Sequence, residues 1–207
     1  MTDGSALLPP AADQDLRALA VAVLRAGTTV YRAHSVSNDP WWFSGTGLGR
    51  FDLPEPMGTL YVADNLETAV RERLRERVVA AGVVSPALAA TFSVAKATMN
   101  STWRCGHVSA RSAARVGITR ELCACPPSMY PVSQAWAVAI CESGFSGIRY
   151  GARFMPGKAN AWALFGTAGV SPSVANAVAE IDAAAACVKA GIAIQGPPEL
   201  RSLDVIA

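Results

Sequence analysis

A chain of 207 residues with 51% hydrophobic and 16% charged side chains is long enough for one domain with a buried core, and too apolar to remain an unfolded coil. It shows neither a Gly-X-Y period nor sustained heptads, which excludes collagen and coiled coil. A formal net charge of +2 is small for a protein that gains affinity from phosphate-backbone contacts, so nucleic-acid binding ranks low among the possible functions.

Arginine (15) far outnumbers lysine (3), a bias expected of a GC-rich genome, so single arginines carry little weight. The five cysteines are odd in number and scattered. The first dozen residues hold Asp3 and Pro9–Pro10 where a secretory leader would have a basic start and an apolar run. Reduced thiols in a cytoplasmic protein are the expectation. No run of about 18 apolar residues occurs, so no membrane span is expected.

In chain order, residues 1–13 read as a loose leader. A helix is expected from Asp13 or Gln14 to Arg25, with Leu16, Leu19, Val23 and Leu24 on one stripe and Gly27 as its stop. Thr28–Ala33 is β-prone. Residues 34–57 form a long loop rich in Gly and Pro that also holds Trp41, Trp42, Phe43 and Phe51, the composition of a functional lid. Gly58–Ala63 is a buried strand running into a helix capped by Asp64, with Glu67 three residues on, and lasting to Ala80 before Gly82. Its apolar stripe is Leu66, Ala69, Val70, Leu74 and Val78, with Glu72 beside it.

Further on, Ala90–Val94 is a strand, Ser112–Val116 a helical turn, and the prolines 126, 127 and 131 mark a loop. Ser133–Ser143 is a helix closed by Gly144, Gly147–Tyr150 and Ala161–Phe165 are strands, and Val174–Ala190 is an Ala-rich helix before Gly191. The tail holds Pro197–Pro198 and the apolar run Leu203–Ile206. Strands and helices without regular βαβ alternation specify an α+β fold with extra N- and C-terminal helices.

Arg32, Arg50, Tyr61 and Glu72 form the first candidate constellation. Guanidinium forks bind phosphates bidentately, and a tyrosine ring offers a flat face to a heterocycle. A carboxylate can stabilise positive charge developing at a sugar carbon. The competing reading is plain: Glu72 lies in the alternating run 71–77, usually a solvated helix face, and Tyr61 can be ordinary core. Cys105-x-His107 and Cys123-x-Cys125 lack the spacing of zinc ligands, so small buried thiols are the better reading and no metal is expected. Gly45, Gly47 and Gly49 alternate outside any strand–turn–helix context, and no dinucleotide fingerprint results.

Tyr31-Arg32-Ala33-His34, Pro40-Trp41-Trp42-Phe43, Gly49-Arg50-Phe51, Gly58-Thr59-Leu60-Tyr61-Val62-Ala63 and Glu67-Thr68-Ala69-Val70-Arg71-Glu72 together resemble the RES-domain family, typically the toxins of bacterial toxin–antitoxin pairs. The resemblance spans roughly residues 28–167, dividing the chain into a leader and helix (1–27), a catalytic domain (28–167) and a C-terminal helical extension (168–207). It implies an ADP-ribosyltransferase-like core of two small β-sheets with flanking helices, and NAD held in a cleft between them as substrate, with no tightly bound cofactor.

The implied activity is cleavage of the nicotinamide–ribose bond by phosphorolysis or hydrolysis. The alternatives are mono-ADP-ribosylation of a protein, or a silent NAD-cleft binding domain. By position, Arg32 and Arg50 serve phosphates and ribose, Tyr61 stacks on nicotinamide, and Glu72 stabilises the sugar cation or orients the nucleophile. Tyr31, Ala152 and Arg153 flank the dinucleotide. Ala152 stands where the family pattern has serine, with Ser143 and Ser146 nearby. The implied partners are NAD, inorganic phosphate and a helix-turn-helix antitoxin of Xre type, with no direct nucleic-acid or membrane contact.

Overall fold

The computed structural model describes residues 7–76 and 82–196. Its centre is an eight-stranded mixed sheet. In chain order the strands are β1 (Val21–Leu24), β2 (Thr29–Ser35), β3 (Trp42–Phe43), β4 (Met57–Ala63), β5 (Val83–Val84), β6 (Phe92–Met99), β7 (Trp103–His107), β8 (Gly147–Gly151), β9 (Asn160–Thr167), β10 (Gly169–Val170), β11 (Ala175–Asp182) and β12 (Ala193–Ile194). The main sheet runs β1-β7-β8-β9-β4-β2-β6-β11, and β3–β10 and β5–β12 form separate pairs. Among the described residues the helices include α1 (Leu66–Leu74), α2 (Pro86–Ala89), α3 (Glu121–Ala124), α4 (Tyr130–Glu142) and α5 (Ala183–Lys189). The α+β class holds.

The sheet has a weak seam. β4 pairs with β9 over Met57–Ala63, and β2 pairs with β6 over Thr29–Ser35. Between β2 and β4 only Tyr31 and Ala63 are in register. Where two independent small sheets were expected, one sheet is observed, nearly parted between β4 and β2.

Several expected elements are corrected. The helix over residues 13–25 is absent. Val21–Leu24 alternates exposed and buried, the period of a strand, and pairs antiparallel with β7, a strand the sequence reading missed. Where residues 1–13 were expected as a loose leader, its described part from Leu7 onward is packed: Leu7 is buried in the core, and Trp136 Nε1 donates to the Leu8 carbonyl. The Ala-rich helix expected over 174–190 is strand in its first half and helix only from Ala183 to Lys189. Ala175–Asp182 pairs with β6, and Asp182 caps the short α5 by accepting from the Ala184 and Ala185 amides. Alanine density reads as helix, but small side chains also suit an edge strand whose outer face meets solvent.

Asn65, not Asp64, caps α1, accepting from the Thr68 amide. Asp64 instead accepts from Trp162 Nε1 and Asn160 Nδ2. α1 ends at Leu74, and Arg75 has a positive φ of 55°. Ala80 and Val78, placed in this helix by periodicity, lie outside the described residues, as do Pro197–Pro198 and Leu203–Ile206. The segment Phe92–Met99 extends further than expected, and Pro131 lies in the first turn of α4, where its missing N–H costs nothing. No helix among the described residues is long and apolar enough to cross a membrane.

Candidate functional site

The site is assembled at the β2–β4 seam. β2 carries Arg32 two residues beyond Val30, which is buried among Leu60, Val62 and Trp41. Arg32 Nη1 donates to the Tyr61 carbonyl at 3.0 Å and Nη2 to the Trp42 carbonyl at 3.0 Å. The side chain therefore bridges β2 and β4 just past their single registered pair. Its Nε is buried without a hydrogen-bond partner. Burial draws the guanidinium down to about 10, and the nearby positive Arg73 acts in the same direction.

The loop before β4 is laced to that strand. Tyr61 Oη donates to Asp52 Oδ1 at 2.8 Å and accepts from the Phe51 amide at 2.9 Å. Asp52 Oδ2 accepts from the Gly49 amide. Thr59 Oγ1 donates to the Phe51 carbonyl and accepts from the Leu53 amide. Position 49 must be glycine, since a Cβ there would lie 2.2 Å from Asp52 Oδ1 and 2.6 Å from Tyr61 Oη. Burial, then Asp52, pushes the Tyr61 hydroxyl well above the usual phenol range.

This lacing sinks Arg50 into the molecule at 7% exposure. Its Cζ lies 5.9 Å from the ring centroids of both Phe51 and Tyr150, near enough for cation–π attraction. Arg50 Nε is buried with no partner. Burial works against its charge, but Tyr150, Glu72 and Tyr130 counter it, and the net shift is upward. Below it, α4 presents Ser133, whose Oγ donates to the Arg50 carbonyl at 2.7 Å. Gln134 Nε2 donates to the Gly47 and Gly49 carbonyls.

Glu72 lies on α1, half-buried, and Oε1 accepts from the Phe154 amide at 2.9 Å. Its charge is felt by both Arg50 and Tyr150. The buried Arg50 and the half-buried Arg32, each with a buried and unpartnered Nε, thus accompany a carboxylate and two tyrosines in this region. Such a set can bind an anionic ligand through the guanidinium groups and stabilise positive charge beside Glu72.

The RES domain family matches residues 29–184. The chain belongs to the RES-domain family. Among solved structures, the crystal structure of the M. tuberculosis MbcT–MbcA toxin–antitoxin complex is similar, with a TM-score of 0.58 at 14% identity, covering 77% of this chain and 86% of that one. At that identity the likeness shows the fold. No curated protein matches the chain.

The family residues expected from the sequence are not equally placed. Arg50 lies within electrostatic reach of Glu72, and Arg32 donates to the Tyr61 carbonyl. Tyr31, next to Arg32 on a strand, faces the other way and packs beside the cluster of Val70, Leu74 and Ala183. Arg153 borders Glu72: it donates to the Cys125 carbonyl, lies 3.6 Å from Glu76, and has Cζ 5.0 Å from the Phe154 ring centroid. Ala152 contributes its backbone, donating to the Ala159 carbonyl.

Ser143 and Ser146 lie away from the site, at the C-terminus of α4 and against Arg104. Serine hydroxyls reach the site region from Ser133, and from Ser109, which accepts from the Gly151 amide at 2.8 Å. Asp52, Ser133, Gln134 and Tyr150 were missed by the sequence reading. The one signal available for Ser133 and Gln134 was their helical spacing from Tyr130.

The cysteines are free, with Cys105, Cys125 and Cys187 buried. Among the described residues no three His, Cys, Asp or Glu side chains gather as a metal site. Two hollows of about 500 and 650 Å³ lie elsewhere, one beside Arg17 and Arg104, the other beside Tyr31 and Lys96. Neither is lined by Arg32, Arg50, Tyr61 or Glu72.

Proposed function

We propose that the protein cleaves the nicotinamide–ribose bond of NAD, as a toxin-like enzyme held in check by an antitoxin. The observation that carries this reading is Arg50, a buried guanidinium with an unpaired Nε, placed in electrostatic reach of Glu72. A buried donor without an acceptor is costly, and a phosphate or ribose oxygen would satisfy it. Arg32, with its own free Nε, is the second anion contact. The Tyr61 ring, its hydroxyl held by Asp52, is the surface for nicotinamide.

In the proposed step the C–N bond breaks and nicotinamide leaves with the bonding electron pair. Positive charge grows on the ribose carbon beside Glu72, and an oxygen of phosphate or water closes on that carbon. With phosphate the second product is ADP-ribose 1″-phosphate. With water it is ADP-ribose and a proton.

Membership of the RES-domain family and the fold shared with MbcT support the toxin assignment and an antitoxin partner of helix-turn-helix, Xre type. Val36, Trp42, Leu48 and Val170 are exposed on the aromatic loop and on the strand paired with it, an apolar surface such a partner would cover. A second reading, a silent NAD-cleft domain, is favoured by Ala152 in place of serine.

The deciding experiment incubates the purified chain with NAD, with and without phosphate, and identifies products by mass. Nicotinamide release that accelerates with phosphate is the expected result. Release indifferent to phosphate means hydrolysis. Label appearing on protein means ADP-ribosyl transfer, and no release at all leaves the silent domain.

A further inference from the structure

His34 lies outside the candidate residues, on the same strand as Arg32, and is 8% exposed. Its Nδ1 faces the Ser35 carbonyl at 3.0 Å and the Asn38 carbonyl at 3.1 Å. Its Nε2 faces Glu180 Oε1 at 2.8 Å and Ser93 Oγ at 3.1 Å. Ser93 Oγ also donates to Glu180 Oε1.

The protons can be counted. Carbonyls only accept, so Nδ1 must carry hydrogen. The Ser93 proton is committed to Glu180, so an unprotonated Nε2 would turn a lone pair onto a carboxylate oxygen at 2.8 Å. A proton must therefore lie between His34 and Glu180. Glu180 is half-exposed on the edge strand β11, so the shared proton joins the buried ring to a side chain that water can reach. The order of groups differs from a hydrolytic triad, where the carboxylate holds Nδ1 and the serine alone meets Nε2.

The carbonyls held by Nδ1 belong to the turn that opens the aromatic loop, closed by Asn38 N donating to Ser35 O. The next turn follows at once: the Trp41 amide donates to Asp39 Oδ1 and the Trp42 amide to the Asp39 carbonyl. Its end is the Trp42 carbonyl, which accepts from Arg32 Nη2. The other groups around the ring are accounted for. β6 brings Ser93 and β11 brings Glu180. Asp39 is turned to Trp41, and the Arg32 guanidinium is turned to Tyr61 and Trp42.

We propose that His34 is a proton-dependent positioning residue: in its protonated form it ties β11 to the 36–43 segment and so keeps the Trp42 carbonyl on Arg32. Loss of the proton frees that segment and weakens ligand binding at the seam. The link to the ligand rests on the dinucleotide reading above; the latch itself does not.

The test follows the full chain across about pH 5 to 8, where imidazoles exchange protons. Ring nitrogen-15 shifts report the His34 proton, and amide protection factors report residues 36–43. Calorimetry gives NAD affinity at each pH. In the wild type, protection and affinity should both fall, by roughly fivefold or more, as the ring loses its proton. Glu180→Gln, on an exposed edge, should lower both at acid pH and flatten the profiles, and His34→Gln should flatten them as well.

A ring that is neutral throughout, or protection that ignores its proton, overturns the latch. Protection that follows the proton while NAD affinity stays constant overturns the positioning role. Protection that follows the proton in a chain that binds NAD at no pH supports the latch and overturns the dinucleotide reading instead.

Discussion

Glu72 has one oxygen engaged by the Phe154 amide, and a glutamine keeps that acceptor while losing the charge. Glu72→Gln should therefore fold normally and lose nicotinamide release by about a hundredfold or more, the scale of removing one electrostatic stabiliser from a transition state. Chromatographic release assays beside a thermal melt check it; normal turnover refutes the role. Arg32 makes its argument by shape. It anchors to two backbone carbonyls, each at 3.0 Å, through a planar fork that an ammonium cannot imitate. For Arg32→Lys the expected outcome is NAD binding weakened roughly tenfold to a hundredfold, matching hydrogen bonds to a charged group at about 1.5–3 kcal/mol, as calorimetry would read.

At the scale of elements, the segment 49–53 matters most, since it carries Arg50 without being a helix or a strand. It is held from β4 by Tyr61 and Thr59 and from α4 by Ser133. Ser133 is fully buried, so Ser133→Ala leaves the Arg50 carbonyl without its donor. A stability loss of about 1–2 kcal/mol should appear in urea midpoints, with weaker NAD binding alongside because Arg50 shifts. The strands β2, β4, β8 and β9 and the helix α4 were legible because each has a clean apolar pattern between turn residues. The stretch 34–57 was legible as a long loop but not as a packed one, because the bonds that hold it come from residues of β4 and α4. The stretches 13–25 and 174–190 misled for a common reason. Alanine, leucine and valine suit a helix locally, and pairing with β7 and β6 decided otherwise.

Across the whole molecule, β2 and β4 share one register pair, and Arg32 bridges the two strands beside it. That seam could not be read from the sequence: each strand alone is ordinary, and the gap is a property of their pairing. The resemblance to the RES-domain family supplied the four candidate residues, and the structure added neighbours of three of them: Asp52 on Tyr61, Tyr150 and Ser133 on Arg50, and Tyr150 within reach of Glu72.

Buried acids of high pKa, in the candidate site and elsewhere in the core, set the response of the fold to alkali. Burial pushes the Cys105 thiol up from 9.0 to about 12, and burial raises the Tyr61 and Tyr150 hydroxyls well above 10.0. These groups are neutral in the folded state and ionise more readily in the unfolded one. The unfolded chain is thus favoured progressively as pH rises past 9 and then past 10, and no such loss occurs below those values. By pH ~11 Cys105 alone should cost on the order of 2–3 kcal/mol. Thermal melts in steps from neutral pH upward should show a plateau and then a steep decline. In Cys105→Ser the decline should be shallower, because the titrating thiol is gone, even though the starting stability is lower. An equally steep decline in that variant would show that the buried thiol does not contribute to alkaline unfolding.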